Sequence, residues 1–547
     1  MTFVSLSDRL AALAAQRGDD VALHHPKGRG VEDGWTPITF RALDAQASAI
    51  ATGLARAGWL PGDRAALLLR PDAGFHALCF GLFRAGIVPV FLDPGMPRAM
   101  ALRALAGLGP DALIAPPLVH VLSRIVRAPF ARVRKRVAAG GPGWWGATTL
   151  ETLKATRVDP ATFAKRSAHD DAVLVFTSGS TGPAKAVALT EACMGARVDE
   201  IQAMIGLLPG ERVVETLLVY TLLEVLMGLE VVIPPMDVAK PATLDPRIFA
   251  MSIQRFQPQT ASASPVVWQR LADHHRDPAF ALPSLSRMLT TAAPIPVALH
   301  ARLTELVSPG VDLLTPYGAT EAMPIACIGS AEVLRDTGAA TLAGEGICVG
   351  HVAPGAEVRI AQIREDAIPH WTPDVAAAPG TWGEIVVATE GASEAYRGDD
   401  AANARAKIHD KGRVWHRMGD LGRLDDRGRL WFGGRMSHRL RTSDGDLPNV
   451  PIEGVFLQHP GVRRAAVVPL GAPGHQTAHL LVELQPGTAW NPAMAAEILA
   501  CADGTPWAGR VSDVRPHPGF PTDTRHNSKV RNDDLAAWLS AQRRSRR

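Results

Sequence analysis

The sequence predicts an α/β protein with a large multilayer N-terminal domain and a smaller α+β C-terminal domain. Three observations predict it. From residue 38 onward, apolar stripes at helical spacing alternate with short apolar runs bounded by turn residues, the pattern of parallel strands covered by helices. The chain has 547 residues, more than one hydrophobic core accommodates. The alternation pauses over residues 415–434, dense in turns and short strands, and then resumes as a unit of about a hundred residues, enough for a separate core. This places an N-terminal domain at 1–434 and a C-terminal domain at 435–547.

Taken in order, Leu6, Leu10 and Leu13 lie on one face of an N-terminal helix that lacks the basic start of a secretion signal. Phe40, Leu43, Ala47, Ile50 and Leu54 form a second stripe, closed by Gly58. A strand over 65–69, a helix over 74–85 and a strand over 87–92 follow, ending at Asp93-Pro94-Gly95. Residues 118–138 carry Arg124, Arg127, Arg132, Arg134, Lys135 and Arg136 and read as a basic surface helix and loop. A solvated face is the simplest reading; the functional one is a docking face for an acidic partner, such as a pathway enzyme, or for a membrane. Two apolar runs, 171–176 and 186–189, read as strands flanking a polar loop.

Composition narrows the function classes. Apolar residues make up 47% and charged residues 20% of the chain, which is globular rather than disordered. The net charge of +3, from 57 basic against 54 acidic residues, makes no demand for nucleic acid. Five scattered cysteines without a C-x-x-C pair point to reduced thiols in a cytoplasm and away from zinc. The most apolar stretches, 75–92 and 213–234, are interrupted by Arg84 and by Glu215, Glu224 and Glu230, which argues for buried core rather than a membrane span.

The loop Thr177-Ser178-Gly179-Ser180-Thr181-Gly182-Pro183-Ala184-Lys185 gathers hydroxyls, glycines and a lysine. Glycines let backbone N–H groups turn toward an anion, and the hydroxyls and lysine can then cover its oxygens. Its spacing excludes a Walker A loop, because Ala184 stands where the second glycine is required and Ala186 follows Lys185. An ordinary polar hairpin would use the same residue types. Further segments strengthen the phosphate reading. Thr315-Pro-Tyr317-Gly318-Ala-Thr320-Glu321 offers an aromatic ring for a purine and a carboxylate for Mg²⁺. Asp420 suits a ribose diol, Arg435 adds a fixed positive charge, and Lys529 stands in a polar loop near the C-terminus.

In this order and at these separations the segments resemble the signature motifs of the adenylate-forming superfamily, over about residues 30–537; Thr291-Ala292-Ala293-Pro294 resembles its purine-flanking segment. The resemblance implies ATP and Mg²⁺ as cofactors. The loop from Thr177 to Lys185 would close over the phosphates, with Glu321 and Thr181 positioning the metal. Tyr317, with Gly318 and Thr320 beside it, would lie against adenine, and Asp420 and Arg435 would hold the ribose. Lys529 would serve adenylation of a small-molecule carboxylic acid, on a C-terminal domain that rotates between half-reactions.

After Arg435 the thioester pattern of the superfamily fails, since Ser437 replaces its hinge residue and no Arg-Gly element follows Arg441. Several segments are instead similar to the β-lactone synthetases of bacterial long-chain olefin biosynthesis, among them Asp93-Pro-Gly-Met96, Val414-Trp-His-Arg-Met-Gly-Asp420 and the Arg525-His-Asn element before Lys529. That implies activation of a 2-alkyl-3-hydroxy fatty acid as acyl-AMP, followed by attack of its own 3-hydroxyl to close a β-lactone. An acyl-CoA or carrier-protein ligase and a non-catalytic adenylate-binding scaffold are the alternatives. Near the implied acyl pocket, Glu215 and Glu224 are expected to face solvent or pair with arginine, because buried unpaired carboxylates are costly. The other reading of these two residues is a shorter or more polar acid.

Overall fold

The computed structural model describes residues 3–93, 95–144, 147–177, 184–238, 240–291, 293–522 and 530–544. Strands Ala112–Ala115, Arg64–Leu67, Val88–Leu92 and Asp171–Thr177 run parallel as neighbours in an 8-stranded sheet. Helices cover them as the alternation requires. Helix Phe40–Arg56 starts where the Thr39 hydroxyl accepts the Ala42 N–H at 3.2 Å, a cap worth about 1 kcal/mol, and stops before Gly58 at φ +78°. Helix Phe75–Arg84 is buried along its whole length, including Arg84. That guanidinium stays buried because Nε donates to Ser7 Oγ at 2.9 Å and Nη2 to Asp44 Oδ1 at 2.6 Å, so its charge and most of its donors are matched.

A 14-stranded sheet carries the other half of the N-terminal part. Its centre is four parallel strands, Arg212–Glu215, Thr260–Ala263, Arg287–Thr290 and Asp312–Ala319, with Ala322–Gly329 returning antiparallel to the last. Residues 415–434, expected as turns and short strands, instead form the 12-residue strand Arg413–Leu424 and its partner Arg429–Arg435. The glycines that read as turns lie inside the ladder: Gly419 adopts φ +66° and the register shifts between Leu421 and Gly422, which bends the strand without ending it.

Beyond Arg435 the chain forms a hairpin, Leu440–Thr442 with Gly445–Leu447, and a 3-stranded sheet of Val462–Leu470, Thr477–Leu484 and Val511–Pro516. Ile452, Phe456, Val467 and Leu480 make a separate core there. Against the N-terminal part, Trp507 Nε1 donates to Gly344 O at 2.8 Å, and Arg439 and Arg441 both pair with Glu365. The basic stretch 118–138 departs from the expected helix and loop. Pro117–Ile125 is α-helical and Ala128–Phe130 a 3-10 turn, but Lys135–Ala138 is a strand of the 8-stranded sheet, where Val137 and Ala138 are buried. Among the described residues no helix is long and apolar enough to cross a membrane.

Candidate active site

The two described ends of the polar loop sit on paired strands. Thr177 and Lys185 face each other at the open end of the Asp171–Thr177 and Lys185–Thr190 ladder. Ser178, Gly179, Ser180, Thr181 and Gly182 lie outside the described residues, as do Ala292 and Lys529. Thr177 Oγ1 donates to Glu321 Oε1 at 3.4 Å, which ties the loop's base to the turn between Asp312–Ala319 and Ala322–Gly329. Tyr396, absent from the sequence-predicted set, donates to the same Oε1 at 3.1 Å, and Lys185 Nζ lies 4.9 Å from its ring centre. Burial and the neighbouring Glu321 raise the Tyr396 phenol well above its ordinary value, so it stays a donor.

Three more residues that sequence reasoning missed brace this turn. Buried Arg197 donates from Nη2 to Thr320 O at 2.8 Å and from Nε to Gly391 O at 2.7 Å. Lys407 donates to Ser393 O, whose own N–H reaches Glu321 O at 2.7 Å, and burial lowers the Lys407 ammonium to about 8. His416 packs edge-on against Tyr396; burial and the two lysines keep it neutral, and its Nδ1 finds no partner among the described residues. The only sequence signal was His416 within the same run as Asp420. Arg197 lies far along the chain from Tyr396 and Lys407, and all three reach the Glu321 turn only in the fold.

Asp420 and Arg435 are cross-strand neighbours, with Arg435 Nη1 2.8 Å from Asp420 Oδ1. Tyr317 donates its phenol proton to Asp420 Oδ2 at 2.7 Å. Burial, then the Asp420 charge, hold that phenol well above its usual range. Gly318 follows, where a Cβ would lie 2.9 Å from Met323 Cβ and 3.0 Å from Ala322 O, so the turn toward Glu321 is closed to a side chain. Gly318, Thr320, Ala293 and Pro294 face the same cavity as Tyr317, Glu321, Lys185 and Arg435, and so does Val530, which follows Lys529 in the chain.

That cavity has a volume of about 2620 Å³ and runs on from the polar end toward Glu215 and Glu224. Here the expectation fails. Neither carboxyl faces solvent or an arginine; Glu215 is 2% and Glu224 5% exposed, and they lie against each other. The strand Arg212–Glu215 ends with Glu215 Oε1 accepting the Leu217 N–H at 2.6 Å, and helix Leu218–Leu226 then brings Glu224 back beside it. Burial pushes Glu215 up to about 7, and burial with the neighbouring Glu215 raises Glu224 well above the ordinary carboxylate range, so the pair avoids the cost of two buried charges.

Among the described residues no three His, Cys, Asp or Glu side chains gather as a metal cluster. Glu321 therefore stands as a single carboxylate beside a phosphate-type loop. That donor set fits Mg²⁺, which takes one or two carboxylates and completes its shell with phosphate oxygens and water.

The family model described as AMP-binding enzyme matches residues 10–397. The olefin beta-lactone synthetase of Xanthomonas campestris pv. campestris is 37% identical over 99% of this chain and 98% of its own. That of Stenotrophomonas maltophilia is also 37% identical, over 98% of each. Among solved structures, an anthranilate CoA ligase in complex with anthranoyl-AMP superposes with TM-score 0.79 over 99% of both chains at 18% identity, a likeness of fold. The chain therefore belongs to the AMP-binding enzyme family of the adenylate-forming superfamily, and it is an AMP-forming ligase.

Proposed function

We propose that the protein activates a 3-hydroxy acid, of the 2-alkyl-3-hydroxy fatty class, as its acyl adenylate and closes that adenylate to a β-lactone. In the first step a carboxylate oxygen bonds to the α-phosphorus of the co-substrate ATP and the bond to pyrophosphate breaks. In the second the 3-hydroxyl oxygen bonds to the acyl carbon, its proton passes to a base or solvent, and AMP leaves with the electrons of the acyl–oxygen bond. Holding hydroxyl and carbonyl in one site makes this step unimolecular, an advantage of roughly 7 kcal/mol or more, set against ring strain.

Within this reading Thr177 to Lys185 cover the phosphates, while Glu321 and Thr181 hold Mg²⁺, which neutralises phosphate charge. Tyr396 and Arg197 fix the Glu321 turn, Tyr317 and Asp420 with Arg435 hold the nucleoside, and Lys529 meets the carboxylate. The domains are 1–434 and 435–547, the second turning between steps. Residues 118–138 are the docking face for a pathway enzyme; exposed Leu118, Leu122 and Ile125 stand beside the arginines there.

The observation that carries the reading is the 37% identity to β-lactone synthetases along essentially the whole chain. The segment after the hinge supports it. Arg439 and Arg441 are committed to Glu365, and Arg439 also to Asp446 at 2.7 Å, where thioester-forming relatives have the element along which a pantetheine lies. The test is incubation with ATP, Mg²⁺ and a panel of 3-hydroxy acids without CoA, with products followed by NMR. Lactone and AMP are expected; turnover only after addition of CoA or a carrier thiol refutes the second step.

A further inference from the structure

The strand Thr477–Leu484 of the C-terminal unit carries a polar array inside an apolar run. Ala478, Leu480, Leu481 and Val482 are buried beside His479, which is itself 3% exposed. A leucine or valine would fill position 479 without polar partners. The imidazole instead has one on each nitrogen: Nδ1 bonds to Asp513 Oδ1, and Nε2 lies 2.9 Å from Thr477 Oγ1. Asp513 is held from its other side, where Oδ2 accepts from Arg515 Nε at 2.8 Å. Against its partial burial, the contacts to His479 and Arg515 keep Asp513 below the ordinary carboxylate range, so it remains an acceptor.

Strand geometry aims the array. Val511–Pro516 runs parallel to Thr477–Leu484, and between the pairs Ala478–Val511 and Leu480–Val514 it sets two residues, Ser512 and Asp513, against the single His479. Such a bulge turns a side chain out of its regular direction, and here the carboxylate meets the ring. With its Nδ1 proton given to Asp513, His479 offers the Nε2 lone pair to Thr477. The other acceptor near that hydroxyl, Leu470 O, is farther off at 3.3 Å. Thr477 is exposed, whereas His479 behind it is buried. A hydroxyl, an imidazole and an arginine-anchored carboxylate in this order are the parts that make a hydroxyl nucleophilic.

The array is linked to the edge of the large cavity. Gln476, next to Thr477, accepts the Arg441 N–H on Oε1 at 2.9 Å and donates its own N–H to Arg441 O at 3.0 Å. Arg441 pairs with Glu365, which lines the cavity. We propose that Thr477, activated by His479 and Asp513, opens β-lactones and retains the acyl group as an ester. The source of the lactone rests on the function proposed above. Thr477 Oγ1 bonds to the lactone carbonyl carbon while its proton passes to His479 Nε2. The bond from that carbon to the ring oxygen breaks, and the oxygen keeps the electron pair and takes the proton from His479, becoming the 3-hydroxyl of the acyl chain. Nothing leaves, so the protein gains the full mass of the lactone. Release of ring strain drives the opening.

The test supplies a synthetic dialkyl β-lactone to the full-length protein without ATP, followed by intact mass measurement and peptide mapping. An adduct of the lactone's mass on Thr477 is expected. Thr477→Ser is expected to keep it and Thr477→Val to lose it. His479→Gln, which can accept from Thr477 but cannot take its proton, is expected to form the ester at least tenfold more slowly; a merely structural histidine would leave the rate unchanged and lower only the unfolding midpoint. Lactone hydrolysis that Thr477→Val abolishes is the same ester formed and released, and it supports the proposal equally. No adduct and no Thr477-dependent hydrolysis, or an adduct confined to another residue, overturns it. Because the lactone is added, ester on Thr477 sustains the proposal even if the protein closes no lactone itself. Lactone made from ATP and acid, with no ester on Thr477, leaves the proposed function standing and refutes this one. Should His479→Gln fail to fold, the two threonine variants decide.

Discussion

Replacing Asp420 by asparagine tests the proposed assignment of this carboxylate to the nucleoside. The carboxylate is 3% exposed, accepts from Tyr317 at 2.7 Å, and lies 2.8 Å from an Arg435 guanidinium whose side chain is 42% exposed. Asparagine keeps the shape and one acceptor oxygen but loses the charge. Because Arg435 is solvated, the ion pair contributes no more than about 1 kcal/mol to folding, so the unfolding midpoint is expected to fall only slightly. Nucleotide binding is another matter. Hydrogen bonds to a buried charged acceptor are worth about 1.5–3 kcal/mol, and at 1.4 kcal/mol per tenfold the KM for ATP is expected to rise roughly 10- to 100-fold. Pyrophosphate exchange titrated in ATP at saturating acid measures it, beside Tyr317→Phe, which deletes only the phenol that orients the carboxylate and is expected to cost less. A KM for ATP within about twofold of wild type in a folded Asp420→Asn variant refutes the assignment of Asp420 to the ribose.

Three further outcomes are expected. Arg84→Met strands Asp44 and removes the contacts to Ser7, and should lower unfolding free energy by about 3 kcal/mol in urea melts; a loss under 1 kcal/mol means solvent replaces the network. The Glu453 carboxyl, buried and bonded to Val467 N and Asn449, is raised to about 7 by burial, so its contribution to stability is complete below about pH 4.5 and lost as pH rises through 7. Glu453→Gln should therefore gain roughly 2 kcal/mol on wild type between pH 5 and pH 8, whereas parallel stability curves refute the shift. Trp507→Leu removes the bond to Gly344 O that holds the C-terminal unit against the N-terminal part, and should change the ratio of adenylation to product-release rates in single-turnover kinetics without changing the KM for ATP.

Periodicity made much of the fold legible. The Phe40–Arg56 stripe, the strands flanking the loop and the resumed alternation after residue 435 all depend on spacing, which the sequence carries directly. What it hid depends on meetings between distant segments. The long strand Arg413–Leu424 was obscured because glycines inside a bent ladder look like turn glycines. Tyr396 reaches Glu321 from 75 residues away, and Arg197 reaches Thr320 from 123, with no local pattern to announce either. The error on Glu215 and Glu224 has a different origin. Burying one carboxylate alone is costly, whereas these two, nine positions apart, lie against each other and relieve that cost.

That pair also gives the cavity a polarity. At one end Lys185, Arg197 and Arg435 stand near Glu321, with Arg435 paired to Asp420 and Arg417 paired to Glu384 beside them. Farther along the same cavity Glu215 and Glu224 lie against each other, with Lys27, Arg29 and Lys240 also in its lining. On the proposed reading, an acid entering head-first would bring its carboxylate toward Lys185 and Arg435, whereas entering tail-first it would set that carboxylate against Glu215 and Glu224, in surroundings where charges interact more strongly than in water.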